Sequence, residues 1–155
     1  RLTLSNGLTL KAYGNSASES RPMTVNTRFE NSVTECRISA VSNGANAGLM
    51  LFYREKASLG IYVGKGQIFA EYLGQEYSIA QMPADGVNLR LTKKDNKVVM
   101  SYSADGELYT DCPGEFDVSE IEHNKYKGFL SLRSAITCFG SGEAVFDSFS
   151  YKNLK

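Results

Sequence analysis

Most of this 155-residue chain alternates apolar and polar residues with a period of two, and turn residues interrupt the pattern every ~8–12 positions. A helix repeats every 3.6 residues and cannot keep one face apolar on such a pattern, whereas a strand can. In "VNLRLT", Val87, Leu89 and Leu91 share one face, and Asn88, Arg90 and Thr92 share the other. In "QIFAEY", Ile68, Ala70 and Tyr72 take the inner face, and Gln67, Phe69 and Glu71 the outer. Strands with one apolar and one mixed face are what two stacked sheets need, so the pattern predicts an all-β, antiparallel two-sheet sandwich.

The interruptions carry turn chemistry. Asn6-Gly7 separates two alternating runs in "LTLSNGLTLKAY" and predicts a hairpin; Asn43-Gly44 repeats the device. Gly64-Lys65-Gly66 and Gly74-Gln75 divide "LGIYVGKGQIFAEYLGQEYSIAQ" into three short strands. Asp95-Asn96 and Asp105-Gly106 do the same for "VNLRLTKKDNKVVMSYSADGELYTD", and two long strands flank Gly140-Ser141-Gly142. The "GKG" turn is not a phosphate loop, since nothing helical follows it.

Length and charge bound the function. At this length a single core suffices, and residues 1–155 read as one sandwich domain. The chain opens at Arg1 without an initiator Met, as expected of a piece cut from a longer multidomain protein. Lys+Arg and Asp+Glu both number 17, so the basic footprint of a nucleic-acid binder is missing. No apolar run reaches the ~18 residues of a membrane helix. Cys36, Cys112 and Cys138 have no metal-ligand spacing, and Cys36 alternates with Ile38 as a small core residue would. No cofactor is expected; calcium would be sought at Asp105-Gly106 and Asp147, although no clustered oxygen-ligand pattern accompanies them.

One stretch, "CPGEFDVSEIE", admits two readings. Glu115, Asp117 and Glu120 have the spacing of a carboxylate pair in a glycan hydrolase, where a bulged strand would return Glu120 to the face of Glu115. The same residues also spell a helix start. Asp117 is the N-cap, Glu120 completes a capping box, and Phe116 with Ile121 forms a hydrophobic staple, giving one short helix near 117–124. The chain has no Trp to line a sugar groove, and the helix reading accounts for more positions. His123 then sits near the end of that helix, with no serine triad to join.

Alternation places Tyr62, Phe69, Glu71, Arg90 and Arg133 at outward positions. An aromatic ring offers a platform for the C–H face of a sugar, and Arg and Glu offer directional hydrogen bonds to hydroxyls. These five residues are the expected carbohydrate-binding set.

Several segments then fall in the order of a known accessory domain. They are Ala47-Gly48-Leu49 to Tyr53, Leu89-Arg90, the "YSxDG" hairpin (Tyr102, Ser103, Asp105, Gly106) and the closing strand with Ala144, Phe146, Asp147, Phe149 and Tyr151. Over residues 33–151 the chain resembles the concanavalin A/laminin G-like jelly-roll sandwich found C-terminal in family 43 glycoside hydrolases, a relative of carbohydrate-binding modules. The family's hairpin is often followed by Trp, where this chain has Tyr109. The resemblance implies a non-catalytic, extracellular module of a polysaccharide-degrading enzyme. Its partners would be an oligo- or polysaccharide and a catalytic domain in the same chain. The alternatives are a catalytic sandwich working through Glu115 and Glu120, and a structural or adhesion domain without sugar affinity.

Overall fold

The computed structural model describes residues 2–4, 7–20, 22–25, 31–42, 44–54, 57–94, 97–114, 116–117 and 133–154. The described strands form two antiparallel sheets packed as a sandwich. The first sheet contains β1 (Leu2–Leu4), β2 (Leu8–Lys11), β4 (Ser32–Val41), β9 (Val87–Lys94), β10 (Lys97–Ser103), β11 (Thr110–Asp111), β12 (Phe116–Asp117) and β14 (Glu143–Asn153). The second runs in the order β3 (Met23–Val25), β13 (Arg133–Gly140), β5 (Ala45–Arg54), β6 (Ala57–Gly64), β7 (Gln67–Tyr72), β8 (Gln75–Gln81).

The inner faces follow the alternation of the sequence. Cys36, Ile38, Val87, Leu89, Leu91, Val98 and Met100 come from the first sheet; Leu49, Leu59, Ile61, Val63, Ile68 and Ala70 come from the second, and all are buried in one cluster. Each fully buried aliphatic side chain contributes about 1.5–3 kcal/mol relative to exposure, so this layer dominates stability. The three cysteines are buried free thiols. Burial pushes Cys112 and Cys138 up to about 11 and Cys36 higher still, which leaves all three protonated and inert.

Turn chemistry explains the hairpins. Lys65 and Gly66 have φ of 53° and 74°, and Leu73 and Gly74 have 49° and 90°, the paired left-handed residues of tight two-residue turns. At the β10–β11 connection Asp105 Oδ1 accepts from the Glu107 and Leu108 amides at 2.8 and 3.0 Å and from Ser103 Oγ at 2.9 Å. These bonds hold its carboxyl below the usual range, so the "YSxDG" pattern is a turn lock.

Two turn expectations need correction. Asn6-Gly7 does not close a hairpin. β1 and β2 are both antiparallel to β14, so they run in the same direction, end to end along it. β14 spans 11 residues and seats both, β1 opposite Phe149–Tyr151 and β2 opposite Glu143–Phe146, with a register shift against β4 between Phe146 and Ser148 where the two meet. The Asn43-Gly44 connection likewise joins strands of different sheets, β4 and β5. The short helix expected near 117–124 lies, beyond Asp117, outside the described residues, as do Glu115, Glu120 and His123. Phe116–Asp117 pair with Val98 and Lys97 of β10, and Phe116 stacks on Tyr72 at 5.2 Å, closing the side of the sandwich.

On the outer face of the second sheet, side-chain size is set by cross-strand rungs. One rung is Thr137–Gly48–Tyr62–Phe69–Ser78, and the next is Ala135–Met50–Gly60–Glu71–Glu76. The glycines make room for Tyr62. A Cβ on Gly60 would stand 2.6 Å from Tyr62 Cζ, and one on Gly48 would stand 2.7 Å from Tyr62 Cα and against the Ile61 carbonyl. The ring therefore lies down over Gly60 instead of standing off the sheet. Gly60→Ala is expected to lower the unfolding free energy by about 1–3 kcal/mol, as overpacking does. Urea unfolding checks this; an unchanged midpoint would mean the ring has room to lift.

Candidate functional site

The lying ring of Tyr62 is the floor of a pocket of about 380 Å³ on that outer face. Tyr62 packs against Phe69 at 5.6 Å and edge-on to Phe139 at 5.5 Å. One wall comes from the segment before β3, which turns through a short 3₁₀ helix at Ala17–Glu19. Ala17 is buried among Met50, Tyr62, Ala135 and Phe139, and Ser20 Oγ hydrogen-bonds Thr137 Oγ1 across the sheet surface. Glu71 and Glu76 form the opposite wall, and Glu19 lines the pocket from the 3₁₀ turn.

Three of the five residues expected to bind sugar, Tyr62, Phe69 and Glu71, thus line one pocket. Arg90 does not join them there. Arg90 stands on the outer face of the opposite sheet, its guanidinium 3.9 Å from the ring centre of Tyr109. Arg133 pairs with Phe52 in the second sheet, and its side chain lies outside the described residues. The expectation of a single surface therefore divides in two, because strand parity tells inward from outward but not which sheet a strand joins. Tyr62 also departs from the expected exposed platform. It is fully buried, because the 12–20 segment folds over a face that alternation alone leaves open.

The electrostatics of the pocket are one-sided. Glu71 and Glu76 are direct cross-strand partners, a like-charged pairing that sheets ordinarily avoid. Among the described residues the lining includes three glutamates, Glu19, Glu71 and Glu76, and no Lys, Arg or His. Glu71 Oε2 accepts from the Gly74 amide at 2.7 Å, and Oε1 accepts weakly from Ser58 Oγ at 3.4 Å. Even so, burial holds its carboxyl above the usual glutamate value, with the Glu76 charge adding to the rise. The Tyr62 hydroxyl, buried and without a hydrogen-bond partner, is pushed well up, by burial first and then by Glu71 and Glu76. A buried hydroxyl without a partner is costly to fold around. Carboxylate acceptors and aromatic carbon therefore line one space, with the idle hydroxyl buried beneath it, and hydrogen-bond donors from outside would complement the carboxylates.

The two acids at which calcium would be sought are engaged elsewhere. Asp105 is held by its own turn, and Asp147 accepts from Ser39 Oγ at 2.8 Å and pairs with Arg37 at 3.9 Å. Among the described residues no group of three or more His, Cys, Asp or Glu is placed to hold a metal ion. Nor is any described helix long and apolar enough to cross a membrane.

A two-sheet antiparallel sandwich of this order is the architecture of concanavalin-like domains. The chain belongs to the family of β-xylosidase C-terminal concanavalin A-like domains, whose model matches residues 3–152. Among solved structures, it is similar to a xylan β-1,4-xylosidase from Bacillus halodurans C-125, with a TM-score of 0.79 and 15% identity over 95% of this chain and 33% of that one. The family 43 glycoside hydrolase BlXynB of Bacillus licheniformis gives 0.77 and 15% over 96% of this chain and 33% of that one. A functionally unknown protein from Saccharomyces cerevisiae gives 0.66 and 12%, over 100% of this chain and 93% of its own. At these identities the likeness is one of fold. The chain spans about a third of the length of the two bacterial enzymes. None of the curated proteins matches it in sequence.

The raised Glu71 carboxyl predicts a pH signature. A carboxyl that ionises less readily folded than unfolded contributes stability that is whole below the ordinary glutamate range and lost as pH rises through the raised value. The stability of the wild type relative to Glu71→Gln should therefore fall as pH climbs from the ordinary glutamate range upward. Urea unfolding of both proteins at stepped pH measures the difference. A flat difference, or one that grows with pH, would contradict the placement of Glu71.

Proposed function

We propose that this chain is a non-catalytic accessory module of a polysaccharide-degrading glycoside hydrolase, and that the Tyr62 pocket holds the end of a glycan chain. The observation that carries the reading is the juxtaposition of the Glu71–Glu76 acceptor pair with the unpartnered Tyr62 hydroxyl over an aromatic floor. Sugar hydroxyls add donors to the carboxylates, and a small opening of the floor gives the tyrosine an acceptor, while the C–H face of the ring packs on Phe69. The 12–20 segment walls the pocket on one side, which suits a chain end better than a strand of polymer running through.

The family assignment and the partial coverage of the bacterial enzymes support a catalytic domain in the same polypeptide. In that setting the module works outside the cell on plant-type glycan, either delivering chain ends to the neighbouring domain or packing against it and shaping its pocket. Catalysis through Glu115 and Glu120 remains the competing reading, and those residues lie outside the described structure. Reducing-sugar release that vanishes in Glu115→Gln or Glu120→Gln would establish it in place of ours.

Isothermal titration of the chain with xylo- and arabino-oligosaccharides tests the module reading. Binding is expected, with Phe69→Ala weakening it by about 1 kcal/mol, roughly fivefold. No heat with any neutral glycan, or an affinity indifferent to Phe69→Ala, would overturn it.

A further inference from the structure

The outer face of the first sheet has the opposite electrostatic character. Its central rung, Ser150–Glu35–Arg90–Ser101–Asp111, crosses five adjacent strands, β14, β4, β9, β10 and β11. At the ordinary spacing between strands this row is about 19 Å long. Two shallow depressions, of about 290 and 300 Å³, lie along it and share Arg90 and Thr92. Among the described residues their lining carries the cations Arg90, Lys94 and Lys152, with Lys97 already engaged, against the acids Glu35 and Asp111.

Both acids are engaged by hydroxyls of the same face. Asp111 Oδ1 accepts from Ser101 Oγ at 2.6 Å, and Glu35 Oε2 accepts from the Tyr109 hydroxyl at 3.4 Å. The Tyr109 phenol is pushed up to about 12 by burial, with the Glu35 charge adding, so it remains a donor. Arg90 lies over the face of the same tyrosine, and its Nε is buried without a hydrogen-bond partner. Stacking fixes the guanidinium in one plane midway along the row, where an arriving carboxylate meets it preoriented.

We infer that this face is a second glycan site, distinct from the Tyr62 pocket, and that it takes a stretch of chain bearing carboxylates, as uronic acid units do. The occupant is a sugar chain more than an acidic polypeptide because the site is a shallow strip on a sheet face, where the hydroxyl-bearing Thr92 and Ser150 stand among the cations. A peptide strand would seek an open sheet edge, and this site lies on the face. The two faces thus sort ligands by charge, with acids around the pocket and cations along the strip. The inference does not require the pocket reading to hold.

The probes are galacturonate and xylose oligosaccharides of equal length, with polyglutamate as the acidic polypeptide, titrated by calorimetry into the whole chain at low salt. The galacturonate oligomer is expected to bind. Arg90→Gln should weaken it about tenfold and Lys152→Gln about threefold, while Glu71→Gln leaves it unchanged. The bound amides should map to β4, β9 and β10 in nuclear magnetic resonance spectra, and an unaltered amide spectrum elsewhere certifies that each variant is folded. No galacturonate binding, equal affinity for the xylose oligomer, or binding indifferent to both substitutions would overturn the inference. Equal or tighter binding of polyglutamate at the same residues would overturn it in favour of a polypeptide partner.

Discussion

The pocket depends on the close approach of β5 and β6 at Gly48 and Gly60. Side chains at those two rung positions would lift Tyr62 off the sheet, and with it the floor on which Phe69, Phe139 and Ala17 pack. Lying flat, the ring carries its hydroxyl toward the carboxylates of the next rung, Glu71 and Glu76. The outer face of the second sheet thus becomes a small second core with an acidic opening. Sandwich stability comes mainly from the layer between the sheets, and this outer cluster is the smaller addition to it.

The fold was legible because burial in a sandwich is a local matter of parity. Val87, Leu89 and Leu91 point inward and Asn88, Arg90 and Thr92 outward, as their alternation requires. Sheet membership is a different kind of information. Whether a turn closes a hairpin or carries the chain across the sandwich depends on partners remote in sequence. Hence Asn6-Gly7 joins two strands lying in line along β14, where a local reading expects a hairpin. It is also why Arg90 and Phe69, similar in pattern, belong to opposite faces.

The candidate site was half legible for the same reason. Parity picked out Tyr62, Phe69 and Glu71, which do share a pocket. Glu76 escaped notice because β8 is an edge strand whose first half is exposed, so alternation carries little signal there. Glu19, Ala17 and Phe139 escaped because the 12–20 segment has no periodicity of its own. Its place is set by contacts with β13, above all Ser20 with Thr137. The glycines at 48 and 60 were the available clue, since glycine inside a strand signals a close approach of other atoms.

The sharpest test of the account is Tyr62→Phe, which keeps the ring and removes the idle hydroxyl. If that group is held for a ligand, the free protein should be as stable as the wild type or more so, by up to about 1 kcal/mol, while affinity for neutral glycan chain ends falls about three- to tenfold. A loss of stability with affinity unchanged would show that the hydroxyl serves the fold and not the ligand, and would contradict the account.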